Sequence, residues 1–405
     1  MRLLVISPFL DRYHGTELCI IEQIERFARQ DHWSIELYSQ AVSQVKGVRL
    51  ASEVPATSSG SILWHKVPDI PGPHLFKYVW WFLANQCLRW WDRRSGKIFP
   101  DLVYSPGINC LDADVIVVQI VFHEFHARAK SQIALKRLPM KMWPRAIHRK
   151  IYYALIMYLE RRLYGNPHVH LVAVSEMVAE QLRRYFRSSN VTVIPNAVDT
   201  DRFTPAACSA RRKESRQTFG FSESELALLL IGNDLKKKGL DSLLRALAQL
   251  QDLPLRLLVV GSDDPGFYDR ILKELDLQRM TTFVKPSADV LKFFSAVDLY
   301  VGPSLEDGFN IPILEAMACG LPVIASATAG VSQMIRDGET GFILRNPNDH
   351  TQLASFIRRI YSDRSLRMQT GEAASRYVLA NCGWDENAER TRELLENTLQ
   401  QMRKN

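Results

Sequence analysis

Apolar residues in this chain fall into short unbroken runs, and between the runs they recur with a helical period. Arg2 to Ile6, Trp33 to Tyr38, Leu102 to Tyr104, Asp114 to Val121 and His170 to Val174 read as strands in the first half. Ala227 to Ile231, Leu255 to Val260, Thr281 to Val284, Leu299 to Val301 and Val323 to Ala325 read as strands in the second. Runs that are apolar throughout, rather than alternating, fit strands covered on both faces. Leu18, Ile21, Ile24 and Phe27 share one side of a helix after the first strand, and Leu243, Leu244, Leu247 and Leu250 do the same after Ile231. Strands alternating with helices predict an α/β chain of Rossmann-like units. At 405 residues the chain exceeds what one core usually covers, so two domains are expected.

Some punctuation between the runs carries chemistry. The stretch Ser304-Leu305-Glu306-Asp307-Gly308-Phe309-Asn310-Ile311-Pro312 follows a buried strand, and Gly308 allows a tight turn there. Pro312 suits a first helical turn and Gly320 a C-terminal cap. In a strand, loop, helix, strand unit the loop sits at the carboxyl end of the sheet, where amides around Phe309, Asn310 and Ile311 are placed to hold a diphosphate. Carboxylates beside a phosphate site need another partner. Sugar hydroxyls supply one, with Asp307 facing a hexose and Glu315, one turn into the helix, facing a ribose. The plain alternative is an ordinary turn with two solvated acids.

The order Asp307-Gly-Phe, Pro312, Glu315-Ala-Met-Ala and Cys319-Gly-Leu-Pro-Val-Ile-Ala resembles the acid-x7-acid signature of retaining GT-B glycosyltransferases of family four, with Asp307 where most members have Glu. The resemblance implies an α/β GT-B fold, two Rossmann-like domains facing across a cleft, and a nucleotide-sugar donor held mainly by the second. It implies domains at 1–200 and 201–383, with a helix over 384–405 returning to the first. Gly232-Asn233-Asp234-Leu235-Lys236-Lys237-Lys238-Gly239 then resembles the family's phosphate loop, in which Lys238 neutralises the departing diphosphate. Asn233 stands where an arginine is usual, and Lys237 is the residue available to compensate. Gly15, preceded by His14 where a second glycine is common, implies a close approach to the donor. His123, after the strand from Asp114, matches a histidine that touches the transferred sugar, with Glu124 and His126 as alternatives and a structural histidine as the bland one.

The resemblance implies an enzyme that moves a hexose-type sugar with retention from a nucleotide diphosphate sugar, UDP- favoured over GDP-, to a glycan or lipid-linked acceptor in cell-surface polysaccharide or glycolipid synthesis. His123, Lys238 and Asp307 are the candidate catalytic groups. Gly15, Asn233, Lys237, Lys238, Asp307, Gly308, Phe309, Asn310, Ile311 and Glu315 are the candidate donor contacts. No cofactor or metal is expected: Asp263-Asp264 has the wrong spacing for a DxD site, and Pro265-Gly266 marks a turn. Competing readings are a catalytically silent, membrane-associated scaffold of a glycan-assembly complex, suggested by Asp307 and Asn233, and a GT-B epimerase or phosphorylase.

Charge and cysteines narrow the setting. Six scattered cysteines without CxxC favour reduced thiols in a cytoplasmic protein. The first residues read as a strand rather than a signal peptide. Net charge is +7, and between Arg128 and Arg162 ten bases face one acid, Glu160, interleaved with aromatic and aliphatic residues. A second aromatic cluster runs from Phe76 to Arg94. Basic helices with aromatic faces suit an anionic membrane surface at the inner face of the plasma membrane, whereas the alternative puts the aromatics in the core. No nucleic-acid motif accompanies the charge. Arg211 to Ser224, polar and charged, is expected to be a linker.

Overall fold

The computed structural model describes residues 1–12, 15–52, 60–129 and 143–404. The chain divides into two compact units: unit 1 comprises Met1–Pro195 and Asn387–Asn405, and unit 2 comprises Asn196–Glu386.

Unit 1 contains strands β1 (Arg2–Ile6), β2 (Phe9–Leu10), β3 (Ser34–Ser39), β4 (Ala41–Val42), β5 (Val48–Leu50), β6 (Ile62–Lys66), β7 (Leu102–Pro106), β8 (Val115–Val118), β9 (His170–Ala173) and β10 (Val191–Val193). Its helices are α1 (Gly15–Arg29), α2 (His74–Arg94), α3 (Phe122–Ala129), α4 (Trp143–Tyr164) and α5 (Glu176–Phe186). Eight of the strands make one parallel sheet in the order β10-β9-β8-β7-β1-β3-β6-β5, and β2 pairs with β4 apart from it. Leu3, Leu4, Val5 and Ile6 of β1 are fully buried, as a strand covered on both faces requires. The sequence order reverses between β7 and β1, so the loops after these neighbouring strands diverge and leave a crevice at their carboxyl ends.

Unit 2 is built the same way. It contains α6 (Pro205–Phe219), β11 (Leu226–Ile231), α7 (Leu240–Leu247), β12 (Leu255–Val260), α8 (Asp269–Glu274), β13 (Thr281–Val284), α9 (Leu291–Ala296) and β14 (Leu299–Gly302). These are followed by α10 (Ile311–Ala318), β15 (Val323–Ser326), β16 (Phe342–Leu344), α11 (His350–Ser362) and α12 (Arg364–Asn381). Its parallel sheet runs β13-β12-β11-β14-β15-β16, with the reversal between β11 and β14. Leucines of β11 and α7 pack with Leu257, Val301 and Ile324 in one core.

The last helix, α13 (Trp384–Lys404), has most of its length in unit 1. It is fixed there by Gln23, whose Nε2 donates to Asn387 Oδ1 at 2.8 Å and Thr391 Oγ1 at 3.1 Å.

The expected linker at Arg211 to Ser224 is a correction: most of it is helical. Thr204 caps the N-terminus of α6 through Ala207 N, Pro205 sits in the first turn, and Gly220 closes the helix in the left-handed region. Its polarity belongs to ion pairs with the unit, Arg211 with Asp289 and both Arg212 and Arg216 with Asp298.

Candidate active site

The reversal between β11 and β14 brings together two loops that lie far apart in sequence. After β11 the chain turns through Gly232 to Gly239, and after β14 through Pro303 to Asn310. Leu305 N donates to Lys237 O at 2.9 Å and ties the loops together. Two glycines permit the approach. A Cβ on Gly239, which has φ +82°, would lie 2.0 Å from Pro303 O. One on Gly232 would lie 2.6 Å from Lys238 Cε, because the lysine stem is laid across that glycine.

This routing delivers Lys238 Nζ to 2.5 Å from Asp307 Oδ2. Both side chains keep about a fifth of their surface exposed, so the pair sits at the rim of the crevice rather than in the core. Asp307 is itself anchored: its N–H donates to Thr328 O at 3.1 Å, and its carbonyl accepts from Gly330 N at 2.9 Å. Its Oδ1 accepts from Phe309 N at 3.3 Å. The residue that takes the left-handed conformation here is Asn310, with φ +75°, and not Gly308, which the sequence had suggested for the turn. Asn310 precedes α10 without capping it. Its Nδ2 donates to Ser304 Oγ while its buried Oδ1 has no partner among the described residues. The Asn310 and Ile311 N–H groups at the start of α10 likewise meet no acceptor among the described residues.

Glu315 lies in the second turn of α10, half-buried; its carbonyl accepts from Cys319 N at 3.0 Å, while its side-chain carboxyl has no hydrogen bond or ion pair among the described residues. Burial pushes its carboxyl up to about 7, Arg202 nearby opposing and Asp199 reinforcing the shift. Asn233 is exposed and accepts from Ser262 Oγ at 2.8 Å. Lys237 joins the loop through its backbone, with its N–H on Asp234 Oδ1 at 3.2 Å.

One contributor was missed in the sequence. Asp263, set aside there as a turn residue, accepts from Asp234 N at 3.1 Å and Leu235 N at 2.8 Å, and so shapes the loop that carries Lys238. Its position directly after a strand end was the available signal. Among the described residues no three His, Cys, Asp or Glu side chains gather as a metal site.

Gly15 and His123 belong to unit 1. Gly15 opens α1, beside the second crevice. A cavity of about 320 Å³ there is lined by Thr16 and Glu17 of α1, Gly107 and Asn109 after β7, and the rings of Tyr78 and Tyr152. His123 stands in the first turn of α3. Its Nδ1 is 2.6 Å from Glu160 Oε2 and its Nε2 accepts from Arg161 Nε at 3.1 Å. Burial, with Arg161 and His126, lowers the histidine pKa. This geometry fits a neutral ring with its proton on Nδ1. Glu160 also accepts from Phe122 N and His123 N, capping α3, and burial raises it to about 7. Both ring nitrogens of His123 are therefore engaged inside unit 1. Of the two alternatives to it, Glu124 accepts from Tyr185 OH at 2.8 Å and His126 packs edge-on against Tyr153.

With this geometry in place, two family profiles account for most of the chain: Glycosyltransferase Family 4 over residues 13–202 and Glycosyl transferases group 1 over residues 211–377. The chain belongs to the group 1 glycosyltransferases of family four. Among curated members, it is 31% identical over 190 residues to the lipopolysaccharide glucosyltransferase WaaG of Escherichia coli, covering 46% of this chain and 50% of that protein. It is 27% identical over 227 residues to a D-inositol 3-phosphate glycosyltransferase of Corynebacterium aurimucosum, covering 53% of each. The chain thus spans about half the length of the curated relatives it matches. Solved members share the fold at low identity. The WaaG crystal structure superposes with a TM-score of 0.74 at 20% identity, covering 96% of this chain and 98% of that one. Anabaena HepE in complex with UDP and glucose gives 0.70 at 19%, covering 98% and 100%. The two Rossmann-like units are those of the GT-B glycosyltransferases.

Proposed function

We propose that this group 1 family member is a retaining glycosyltransferase that takes a hexose-type sugar from a nucleotide diphosphate sugar, UDP- before GDP-. The observation that carries the reading is the meeting of Lys238 and Asp307 at the β11/β14 reversal, one short loop from the unpaired Glu315. A cation, helix-start amides and two acids at different depths form a set that matches a diphosphate flanked by two polyols. Glu315 takes the ribose hydroxyls, Asp307 the sugar, and Lys238 with the Asn310 and Ile311 amides the diphosphate. Named complexes with UDP and with UDP-glucose among structures of this fold support the choice of base.

In the reaction the bond from the anomeric carbon to the diphosphate oxygen breaks, and Lys238 and the amides offset the charge that grows on that oxygen. The acceptor hydroxyl attacks the same face of the sugar. Its proton leaves with the diphosphate, and no carboxylate nucleophile is invoked. No metal takes part, because lysine and amides carry the phosphate charge. The acceptor is a glycan or lipid-linked sugar, and the cavity of unit 1 beside Gly15 is the acceptor side; His123, with both ring nitrogens held by Glu160 and Arg161, supports the start of α3 on that side rather than presenting a free nitrogen. The setting is the cytoplasm, peripheral to the membrane, in the assembly of cell-surface polysaccharide or glycolipid.

A thermal-shift screen of UDP-, GDP- and ADP-sugars tests the donor: a ligand at about 100 times its dissociation constant stabilises by about 2.7 kcal/mol. Stabilisation by UDP-sugars and slow release of UDP from them without acceptor is the expected result. A protein that responds to none of the three is not this enzyme.

A further inference from the structure

Helix α2 is turned inside out relative to a helix of a water-soluble surface. Its buried face holds Trp81, Asn85, Arg89 and Asp92, and it is attached to unit 1 through polar ties. Arg89 makes two 2.8 Å bonds to Asp112, Asp92 accepts from Tyr38 OH at 2.7 Å, and Asn85 donates to Asn109 O at 3.1 Å. The opposite side carries the large apolar residues. At 100° per residue, Phe76, Trp80, Leu83, Cys87, Trp90 and Trp91 fall in one stripe about 22 Å long. Phe76 and Trp91 are each 63% exposed, Trp90 57% and Leu83 55%.

Charge sorts the partners. No carboxylate occurs from Ile70 to Trp91, whereas Lys77 and Arg94 are exposed along the same helix. Helix α4 meets α2 near its start, where Tyr152 packs edge-on against His74 and Tyr78. It too exposes apolar residues, Ile147, Ile151 and Tyr158, beside Lys150 and Arg162, and its one acid, Glu160, is fully buried. A second copy of the chain would bring cation against cation. An anionic bilayer surface supplies opposite charge to the bases and an interfacial layer suited to tryptophan. Among the described residues no helix is long and apolar enough to cross a membrane, so contact lies in the plane of the surface.

We infer that α2 lies in the interface of an anionic bilayer with the stripe Phe76–Trp91 immersed and Lys77 and Arg94 on lipid headgroups. The segment 130–142 between α3 and α4, part of the basic stretch first considered for this role, lies outside the described residues, and the surface assigned here is α2. The inference gives the proposed peripheral attachment its surface, yet it rests on α2 and not on donor chemistry. Because Tyr78 of α2 lines the cavity of unit 1, the assignment favours an acceptor with a lipid anchor over a freely diffusing one.

The test is co-sedimentation of the full chain with vesicles of phosphatidylcholine, with and without about a third phosphatidylglycerol. Binding is expected to the anionic vesicles, with a blue shift of tryptophan fluorescence. Changing Phe76, Leu83, Trp90 and Trp91 together to Ser should weaken it by at least about 100-fold. Lys77→Gln with Arg94→Gln should weaken it by about 25-fold, since each base near such a surface is worth about 1 kcal/mol and 1.4 kcal/mol is tenfold. All these side chains are exposed, so circular dichroism and melting should match the parent, and the double variant keeps the test sound if the quadruple one misfolds. Three results overturn the inference: no sedimentation with anionic vesicles, equal binding to neutral ones, or self-association that the quadruple variant abolishes without any vesicle binding. UDP-glucose binding, measured on the same variants, reports on the donor site separately.

Discussion

If Glu315 accepts the ribose hydroxyls of the donor, donor affinity must depend on pH in a defined direction. The apo carboxyl has its pKa raised to about 7 by burial, so below that pH it is mostly protonated. Hydroxyl donors favour the ionised form, and binding must then expel the proton. At pH 5.5 a carboxyl of pKa about 7 is only about 3% ionised, which weakens binding by about 30-fold, or about 2 kcal/mol, relative to pH 8. Affinity should therefore be full above pH 7 and be lost as pH falls through it. Calorimetry with UDP-glucose is the suitable assay, because a diphosphate esterified at both ends does not titrate in this range as free UDP does. Glu315→Gln should flatten the profile and lower affinity at pH 8, where a hydrogen bond to a charged group contributes about 1.5–3 kcal/mol. Stability runs the other way. The folded state holds an extra proton between the ordinary glutamate value of 4.5 and about 7, so apo stability should fall as pH rises through that window, and Glu315→Gln should remove the fall. An affinity profile unchanged by the substitution would refute the assignment of Glu315 to the donor.

Lys238→Ala should lower kcat by about 100-fold or more if the lysine acts on charge that grows in the transition state. Unaltered kcat with a raised KM would make it a ground-state binder instead. Asp307→Ala should weaken UDP-sugar binding and leave UDP binding nearly intact, whereas equal loss for both contradicts its assignment to the sugar. Gly239→Ala forces a side chain into φ +82° and against Pro303 O, and should cost more than about 3 kcal/mol in thermal melts. Activity should survive EDTA; loss restored by manganese or magnesium would put a metal in the reaction.

The fold was legible where strand and helix leave unambiguous signatures. Fully apolar runs such as Leu3 to Ile6 and Leu228 to Ile231 have few alternatives to a sheet covered on both faces. The acid-bearing loop was legible for a different reason: a helix start, a glycine stop and a following strand are local signals that place Asp307 and Glu315 without tertiary information. What escaped was what depends on partners remote in sequence. Helix α6 looked like a linker because its arginines find Asp289 and Asp298 more than 70 residues away. Asp263 gains its role only when β12 lies beside β11. The lone acid of the basic segment, Glu160, was visible, but nothing local said that it would be buried against His123. Similarly, the aromatics of α2 could be assigned to core or surface only once Arg89, Asn85 and Asp92 were seen to occupy the inward face.

The scaffold and enzyme readings differ in what they require of the loop after β14. A loop that served only to connect a strand to a helix would be at its most stable with its polar groups satisfied and its backbone in common regions. This one keeps a non-glycine residue, Asn310, in the left-handed region, with a buried side-chain oxygen unpartnered. One helical turn later it carries a half-buried carboxylate with no described partner and a pKa displaced by burial. Each feature costs stability, on the order of 1–3 kcal/mol apiece, and all occur within six residues of one another. The neighbouring Lys238–Asp307 pair offsets little of that, since ion pairs near the surface contribute about 1 kcal/mol or less. Concentrated local cost of this kind, in a unit whose strands and core are otherwise regular, is what a site held ready for a ligand requires, because donor hydroxyls and phosphate oxygens would complete the groups that the protein leaves unpaired. The same argument explains why the departures at Asp307 and Asn233 do not decide for a silent scaffold. Asp307 remains in direct contact with Lys238, the lysine we propose for the diphosphate, and Asn233, through Ser262, helps fix the loop from which that lysine extends.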